Sequence, residues 1–129
     1  MEEAGYRQTL GKRGEDIACR YLEGIGHTII ERNYRSGHLE IDIISCDARG
    51  IHFVEVKTRR RNIQAPPQDN VDHAKQRRIA KAAARFIREA KGLPQKDMEC
   101  VFDVIAVTFG NDGKQHVEWF PQAYIPLYM

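Results

Sequence analysis

Apolar residues recur at three- and four-residue steps in two segments of the chain, a period that predicts amphipathic helices. The first helix is predicted from about Gly11 to Gly24, with a glycine at its end. Its apolar stripe consists of Ile17, Ala18, Tyr21, Leu22 and Ile25. The second helix is predicted over about 71–91, and its buried face consists of Ile79, Ala83, Phe86 and Ala90.

Five segments rich in β-branched and aromatic residues predict strands, at about 28–35, 39–46, 51–58, 98–109 and 114–120. The turn Asp47-Ala48-Arg49-Gly50 separates the second and third strands, which are therefore expected to form a hairpin. The elements follow the order α-β-β-β-α-β-β. This order predicts an α/β fold in which helices flank a mixed five-stranded sheet.

Two segments show neither period. The first seven residues are expected to form a flexible tail, and residues 59–70 (RRRNIQAPPQDN) a mobile basic loop, which is long for a compact domain. The whole chain has 129 residues, of which 42% are apolar, enough for one hydrophobic core but not for two. Residues 1–129 are therefore interpreted as a single domain.

Composition narrows the choice of compartment and partner. No apolar run reaches the ~20 residues of a membrane span, and none near the N-terminus resembles a secretory signal, so a cytoplasmic protein is expected. The three scattered cysteines form neither a disulfide framework nor a zinc clip. Residues 59–91 contain ten Lys or Arg against three acids, although the net charge of the chain is only +2. This local excess favours an anionic partner such as a phosphate backbone, although a solvated helix face explains it equally well.

Acidic residues converge in the predicted hairpin. If the four-residue turn closes it directly, Asp42 lies opposite Glu55 and Glu40 opposite Lys57, with Cβ atoms ~4.5–5.5 Å apart. The neighbouring residues are almost all apolar, so these carboxylates are expected to be largely buried. Opposed like charges destabilise a sheet unless something neutralises them.

Two interpretations of this pattern remain open. Carboxylate oxygens without histidine or cysteine at matching spacing indicate Mg²⁺ or Mn²⁺ rather than zinc. Alternatively, Lys57 forms an ordinary cross-strand salt bridge with Glu40, worth ~0–1 kcal/mol, and also neutralises Glu55.

A third acid comes from the first helix. At 100° per residue, Glu15 falls at the edge of the apolar stripe, where it is expected to lean over the sheet, whereas Asp16 is expected to point to solvent. Glu15 would then complete a metal pocket. The alternative is a first-turn acid that interacts with the helix dipole.

These residues, taken together, resemble a known nuclease group. The motifs are Gly14-Glu15, Glu40-Ile41-Asp42, Phe53-Val54-Glu55-Val56-Lys57-Thr58-Arg59 and Phe102-Asp103-Val104-Ile105-Ala106-Val107. They resemble the PD-(D/E)XK nuclease superfamily, and most closely its small bacterial YraN family, which is similar to archaeal Holliday-junction resolvases. The resemblance covers nearly the whole chain and implies a restriction-endonuclease-like core. One departure is that Leu39 precedes Glu40, where the family usually has glycine.

The resemblance implies a role for each matching residue. Asp42 and Glu55 would bind Mg²⁺ or Mn²⁺, together with the carbonyl of Val56. Lys57 would orient the attacking water or stabilise charge on the phosphate. Glu15 would bind a second metal or a metal-bound water. These roles agree with the chemistry, because phosphodiester hydrolysis needs an activated water and relief of negative charge.

Five basic residues are candidates for contact with nucleic acid. Arg59, Arg60 and Arg61 continue from the strand that carries the motif and are expected to meet a phosphate backbone. Lys75 begins the second helix and is expected to point back at the site, and Arg78 lies on that helix's basic face. The basic face consists of Arg77, Arg78, Lys81, Arg85 and Arg88.

Other polar and aromatic residues are assigned to structure. His38 and His52 lie near the hairpin, but single histidines are more often structural than ligands. An aromatic group near the C-terminus is expected to pack in the core or at a subunit interface rather than to stack on bases; it consists of Trp119, Phe120, Tyr124 and Tyr128.

The leading hypothesis from the sequence is a metal-dependent endonuclease that hydrolyses DNA, with branched or unusual DNA structures as candidate substrates. A non-catalytic nucleic-acid-binding module that retains the nuclease fold is the alternative, and a protein-interaction adaptor is the third class. A homodimer is expected from the resemblance to resolvases alone.

Overall fold

The structure is a computed structural model that describes residues 2–60, 73–90 and 98–124. It contains two helices, α1 (Glu2–Gly24) and α2 (His73–Glu89). The five strands are β1 (Thr28–Ser36), β2 (Leu39–Cys46), β3 (Gly50–Arg60), β4 (Glu99–Phe109) and β5 (Gln115–Phe120). This arrangement confirms the predicted α/β fold and its α-β-β-β-α-β-β order. Within the described ranges, no helix combines the length and apolar character that crossing a membrane requires.

Helix α1 is longer than its apolar stripe predicts. It begins at Glu2, so residues 2–7, predicted as a tail, belong to the helix, because residues without an apolar period can still have good helix propensity. Its predicted end at Gly24 is confirmed, and Gly26 follows with a φ of 101°, which suits glycine. Ile25 lies beyond the helix and is 42% exposed, so it is not part of the stripe.

The strands follow one another across the sheet in chain order, β1-β2-β3-β4-β5. All neighbours are antiparallel except β3 and β4, which run parallel over eleven residue pairs from Gly50↔Glu99 to Arg60↔Phe109. A parallel pair requires a crossover, and α2 lies in the connection between these two strands. The sheet is therefore mixed, as predicted.

Each face of the sheet is covered by one helix. On the α1 side, Ala18 and Leu22 pack with Ile43, Val54 and Ile105. On the α2 side, the cluster contains the buried face of the helix with alternate residues of the same strands, including Ile79, Ala83, Phe86, Ile44, Phe53 and Phe102. The basic face of α2 is exposed to solvent at all five of its residues. Because strand side chains alternate, residues on the α2 side of β2 and β3 share the face that carries Ile44 and Phe53.

The hairpin has the predicted register near its turn. Ile43 pairs with Val54, and pairing continues to Cys46 and Ile51. Within the described strands this ladder stops at Ile43 and Val54, so neither Asp42 with Glu55 nor Glu40 with Lys57 forms a ladder pair, and both predicted pairings are wrong. Residues at the start of β2 pair instead with β1, where Glu40 lies opposite Arg35.

The predicted loop over 59–70 begins too early. Arg59 and Arg60 are strand residues that pair with Thr108 and Phe109, because the long strand β4 offers them ladder partners. The rest of the predicted loop, 61–70, lies outside the described residues, and this includes the candidate Arg61.

The two edge strands are irregular or charged. Strand β1 has a register shift between Ile29 and Glu31, and Asn33 has a φ of 54°. Strand β5 has six residues, of which His116 and Glu118 are exposed. The β2–β3 hairpin, which carries the candidate site, lies inside the sheet and away from both edge strands.

Candidate active site and metal centre

The candidate site begins where β2 and β3 cease to pair. Beyond Ile43, the Asp42 side chain replaces the strand ladder: its Oδ2 atom accepts a hydrogen bond of 2.8 Å from the backbone N–H of Val56. The N–H and C=O of one strand residue point to the same side. The carbonyl of Val56 is therefore directed toward β2 as well, into the fork between the strands.

Asp42 is a buried carboxyl, and one hydrogen bond is the main interaction that stabilises its negative charge. Burial and the neighbouring Glu55 carboxylate raise the pKa of Asp42 to about 7, and the hydrogen bond from Val56 opposes this effect. The more distant charges of Glu15 and Glu40 act in the same direction as Glu55. This accumulation of negative charge around one buried acid is the electrostatic condition that a cation would relieve.

Glu55 is held by two amines. Its side chain is 10% exposed, and its Oε1 atom lies 2.5 Å from Nζ of Lys75 and 3.4 Å from Nζ of Lys57. Lys75 comes from the first turn of α2, one helical turn before the buried Ile79, and so reaches down to the sheet. The charge of Glu55 is therefore shared between its own strand and the crossover helix.

The two lysines differ electrostatically. Burial lowers the pKa of Lys57; the Glu55 carboxylate opposes this effect and the Lys75 ammonium adds to it. Burial also acts to lower the pKa of Lys75, but its hydrogen bond to Glu55 outweighs burial, so the pKa of Lys75 is raised. Lys75 is thus the residue that carries the positive charge most firmly, and Lys57 the one that gives up its proton more readily.

These residues open into a pocket of about 290 Å³. Asp42, Glu55 and Lys75 lie in its wall with Glu40. The rest of the wall consists of His38, Leu39, Arg78 and Ile79. A pocket lined by both acidic and basic residues can take a cation together with a phosphate group.

Glu15 lies on the α1 side of the sheet. Gly14 packs so closely against β3 that a Cβ atom there would come within 2.1 Å of Oγ1 of Thr58, and this contact fixes the start of the stripe against the sheet. Glu15 Oε1 lies 3.6 Å from Arg32, whose guanidinium also pairs with Asp16 at 2.8 Å. Asp16 is therefore bound to Arg32 rather than directed to open solvent as predicted.

The structure brings together some of the predicted site residues and not others. Asp42, Glu55 and Lys57 converge as predicted, and Val56 contacts Asp42. Glu15 influences Asp42 through its charge, but it lines a neighbouring pocket with Arg32 and Arg35 rather than the acidic one. Of the basic candidates, Lys75 and Arg78 line the acidic pocket, whereas Arg59 is half-buried and Arg60 exposed at the end of β3.

Two features of the pocket escaped the sequence analysis. Lys75 was expected to point back at the site and to contact nucleic acid, and its ion pair with Glu55 is the part that was missed; the spacing of four residues between Lys75 and the buried Ile79 places it over the sheet. His38 lines the pocket from the turn between β1 and β2, and no periodic signal identifies it there.

The aromatic group divides between the two faces: Trp119 packs on the α1 side, and Phe120 and Tyr124 on the α2 side, as core residues. Tyr128 lies outside the described residues.

Comparison with known proteins identifies the family. The model of a family described as "Uncharacterised protein family UPF0102" matches residues 14–107. A UPF0102 protein of Geobacter metallireducens is 41% identical over 119 residues, which are 92% of this chain and 94% of that protein. One from Geotalea uraniireducens is 39% identical over 123 residues, covering 95% and 94%, and one from Bacteroides thetaiotaomicron is 38% identical over 117 residues, covering 91% and 93%. This is the YraN family that the motifs resemble. The chain therefore belongs to the protein family UPF0102.

Proposed function

We propose that this protein is a metal-dependent endonuclease that hydrolyses phosphodiester bonds of DNA, with branched or otherwise unusual structures as its candidate substrates. The observation that supports it most directly is the pair Asp42 and Glu55 at the fork between β2 and β3, with the amines of Lys57 and Lys75 beside them. Acids that can hold a cation, with an ammonium beside them to stabilise negative charge, are suited to the hydrolysis of phosphate esters.

The residues at the fork fit a divalent ion with oxygen ligands. Asp42 has a pKa raised to about 7, so its charged form lacks compensation, and its Oδ2 is engaged by Val56 while Oδ1 is available. Glu55 and the carbonyl of Val56 complete a set of three oxygen donors, which suits Mg²⁺ or Mn²⁺. When bound, such an ion supplies positive charge next to the phosphate and lowers the pKa of water.

The amines have distinct roles in this proposal. Lys57 lies 3.4 Å from Glu55, so its ammonium is suited to orient the attacking water or to stabilise the charge that develops on the phosphate. Lys75 keeps its charge and lies at the pocket wall with Arg78, where both can bind the phosphate oxygens. Glu15, beyond the edge of the pocket, adds negative charge that favours the cation at Asp42.

The position of the basic residues supports a polyanionic substrate. Arg78 lies both in the pocket wall and on the basic face of α2, so the exposed charges of that face lead into the pocket. Arg59 lies two residues beyond Lys57 on β3 and so shares its face of the sheet, whereas Arg60 at the end of the strand points to the other face. A phosphate backbone bound along this surface would therefore pass the acids.

One observation favours the alternative, a nucleic-acid-binding module without catalysis. Glu55 is already compensated by two ammonium groups, with Lys75 at 2.5 Å. In a protein that never binds metal, these contacts would be the permanent state of the pocket. Metal binding distinguishes the two functions: the endonuclease must bind a metal ion through Asp42 and Glu55, whereas the binding module need not.

The test uses the full chain with four-way junction, duplex and single-stranded DNA, each with Mn²⁺, Mg²⁺ or EDTA. We expect cleavage of at least one substrate with Mn²⁺, and a loss of 100-fold or more, roughly, in Asp42→Asn and in Lys57→Ala. Glu31→Gln and Lys114→Ala, both exposed, are matched controls and should cleave normally. Cleavage that survives in Asp42→Asn overturns the site. DNA binding without cleavage or Mn²⁺ uptake supports the alternative.

A further inference from the structure

A second polar cluster lies at the turn end of the same hairpin. It consists of His27, which follows α1, Asp47, which follows β2, and His52 on β3, and we call it the histidine cluster. His52 and Glu55 are three residues apart on β3, about 10 Å along the strand, and their side chains point to opposite faces. The histidine cluster is thus separate from the acidic pocket.

The ligand atoms of the three side chains lie close together. Nε2 of His27 lies 3.4 Å from Oδ2 of Asp47, and Nε2 of His52 lies 2.9 Å from Oδ1 of the same carboxylate. The three ligand atoms all lie within 4.8 Å of one another. A tetrahedral zinc ion with bonds of ~2.0–2.1 Å keeps neighbouring ligand atoms ~3.3 Å apart, so small movements would place these atoms around an ion.

The other nitrogen of each imidazole is held by an oxygen. Nδ1 of His52 lies 2.7 Å from Oδ2 of Asp103, and Nδ1 of His27 lies 2.9 Å from Oγ of Ser45. Asp103 is fully buried and also accepts hydrogen bonds from Trp119 Nε1 and the Gln122 N–H. Metal-binding histidines usually have such a partner, which fixes the ring and leaves Nε2 for the ion. Both histidines have this arrangement.

A hydrogen-bonded network without metal is the competing explanation. It accounts well for His52, which lies between Asp47 and Asp103. It accounts less well for His27, because the two ring centroids are only 4.3 Å apart and both Nε2 atoms turn toward one carboxylate. The imidazole side chains are 1% exposed, whereas Asp47 is 27% exposed, so the carboxylate side of the cluster is the one open to solvent.

We propose that His27, Asp47 and His52 bind one zinc-class divalent ion, Zn²⁺ itself in the first place. Two imidazole nitrogens and one carboxylate oxygen suit Zn²⁺ and Co²⁺ better than Mg²⁺. The ion would tie the turn after α1 to the β2–β3 hairpin. This site is independent of the proposed endonuclease function, which depends on the acids at the other end of the hairpin.

The test titrates chelator-treated full-length protein with Zn²⁺ by calorimetry, and with Co²⁺ by visible absorption. We expect one high-affinity Zn²⁺ per chain and a Co²⁺ spectrum typical of four-coordination. His27→Gln and Asp47→Asn should each weaken Zn²⁺ binding by about 10-fold or more. Asp47→Asn retains an Oδ1 acceptor for the turn N–H groups of Arg49 and Gly50, so it should fold even if His27→Gln does not.

Two controls make the outcome decisive. His116→Gln removes an exposed histidine beside Glu118 and should leave Zn²⁺ binding unchanged. Asp42→Asn should abolish Mn²⁺ uptake at the acidic pocket and leave Zn²⁺ binding unchanged, so failure of either site is distinguishable from failure of the other. Equal Zn²⁺ affinity in the unmodified protein and folded Asp47→Asn, or a loss caused by His116→Gln, overturns the proposal.

Discussion

Asp42 shows how a single residue is kept in an unfavourable state by its position. Its carboxyl lies at the fork, where the backbone of β3 offers one N–H but the surrounding charges are mostly negative. A strand ladder cannot continue there because the side chain takes the N–H of Val56 that β2 would otherwise use. The residue therefore ends the ladder and concentrates negative charge at the same point.

The pKa of Asp42 predicts how stability depends on pH. Because this pKa is raised from 3.8 to about 7, the folded state holds the proton more tightly than the unfolded state between these values. Stability should therefore fall as pH rises from about 4 to about 7. Asp42→Asn removes this dependence, and in EDTA it should be more stable than the unmodified protein by about 1–3 kcal/mol at pH 8 and nearly equal at pH 4.

Urea unfolding across this pH range, with EDTA throughout, measures the difference. Glu31→Gln, an exposed acid on β1, is the control and should follow the unmodified protein at every pH. A parallel pH dependence in Asp42→Asn and the unmodified protein would show that Asp42 has an ordinary pKa.

Gly14 packs closely against Thr58 of β3. Gly14→Ala places a Cβ atom 2.1 Å from Oγ1 and 3.1 Å from Cβ of Thr58, so either the Thr58 side chain or the helix must shift. We expect a loss of about 1–3 kcal/mol in the free energy of unfolding. Gly11→Ala, in the same helix with no atom within 4 Å of the new Cβ, should instead stabilise by up to about 1 kcal/mol. Chemical denaturation of both variants checks the contrast, which equal effects would contradict.

At the scale of elements, the crossover helix does more than cover the sheet. The first turn of α2 delivers Lys75 to Glu55, and the rest of the same helix buries Ile79, Ala83 and Phe86 against β2 and β3. The packing of the apolar face therefore sets the position of the amine. The sequence predicts that Lys75 points toward the site but not that Glu55 is its partner, since residues 55 and 75 meet only after the crossover has folded.

Removing the amine of Lys75 tests its effect on cation binding. Lys75→Gln takes away the ammonium nearest to Glu55, so Mn²⁺ should bind about fivefold more tightly, equivalent to about 1 kcal/mol of lost repulsion. Lys81→Gln makes the same charge change on the exposed side of the helix and should leave Mn²⁺ affinity within twofold, roughly. Calorimetry at constant ionic strength measures both. Weaker Mn²⁺ binding in Lys75→Gln would mean that Lys75 supports the ion instead.

Sequence reasoning succeeded where local rules determine the structure. The four-residue turn predicted the pairing of Ile43 with Val54, and the next residues along, Asp42 and Glu55, do line one pocket. It failed at the end of the ladder, which depends on a hydrogen bond between a side chain and a distant N–H. It likewise placed Arg59 in a loop, because the length of the partner strand is not visible in its neighbours.

The histidine cluster shows the same limit at greater separation. His27, Asp47 and His52 come from three elements, and no spacing along the chain links His27 to the hairpin. Each histidine taken alone has an ordinary structural explanation. Only the fold, by bringing the end of α1 to the turn of the hairpin, gives them a common ligand geometry.

At the scale of the whole molecule, the basic face of α2 and helix α1 lie on opposite sides of the sheet. The basic face of α2 leads to the acidic pocket, whereas α1 lies on the other side of the sheet. If DNA binds along α2, the double variant Arg78→Ala with Lys81→Ala should weaken DNA binding by about 10-fold near 0.1 M salt. The slope of the logarithm of the binding constant against the logarithm of the salt concentration should also become shallower by roughly one to two. Lys12→Ala with Arg20→Ala removes the same charge from α1 and should have little effect. Fluorescence anisotropy over a salt series measures all three proteins, and equal losses in both double variants would assign the binding to net charge alone.

The edges of the sheet constrain how two copies of the chain can associate. The register shift in β1 and the positive φ of Asn33 interrupt the straight row of backbone groups that another strand would need. Short β5 carries His116 and Glu118 outward. Both margins therefore resist extension of the sheet by a second molecule, which also guards against fibrous aggregation. A symmetric pair of protomers, if one forms, should meet through helices or connecting segments and not through a continuous intermolecular sheet.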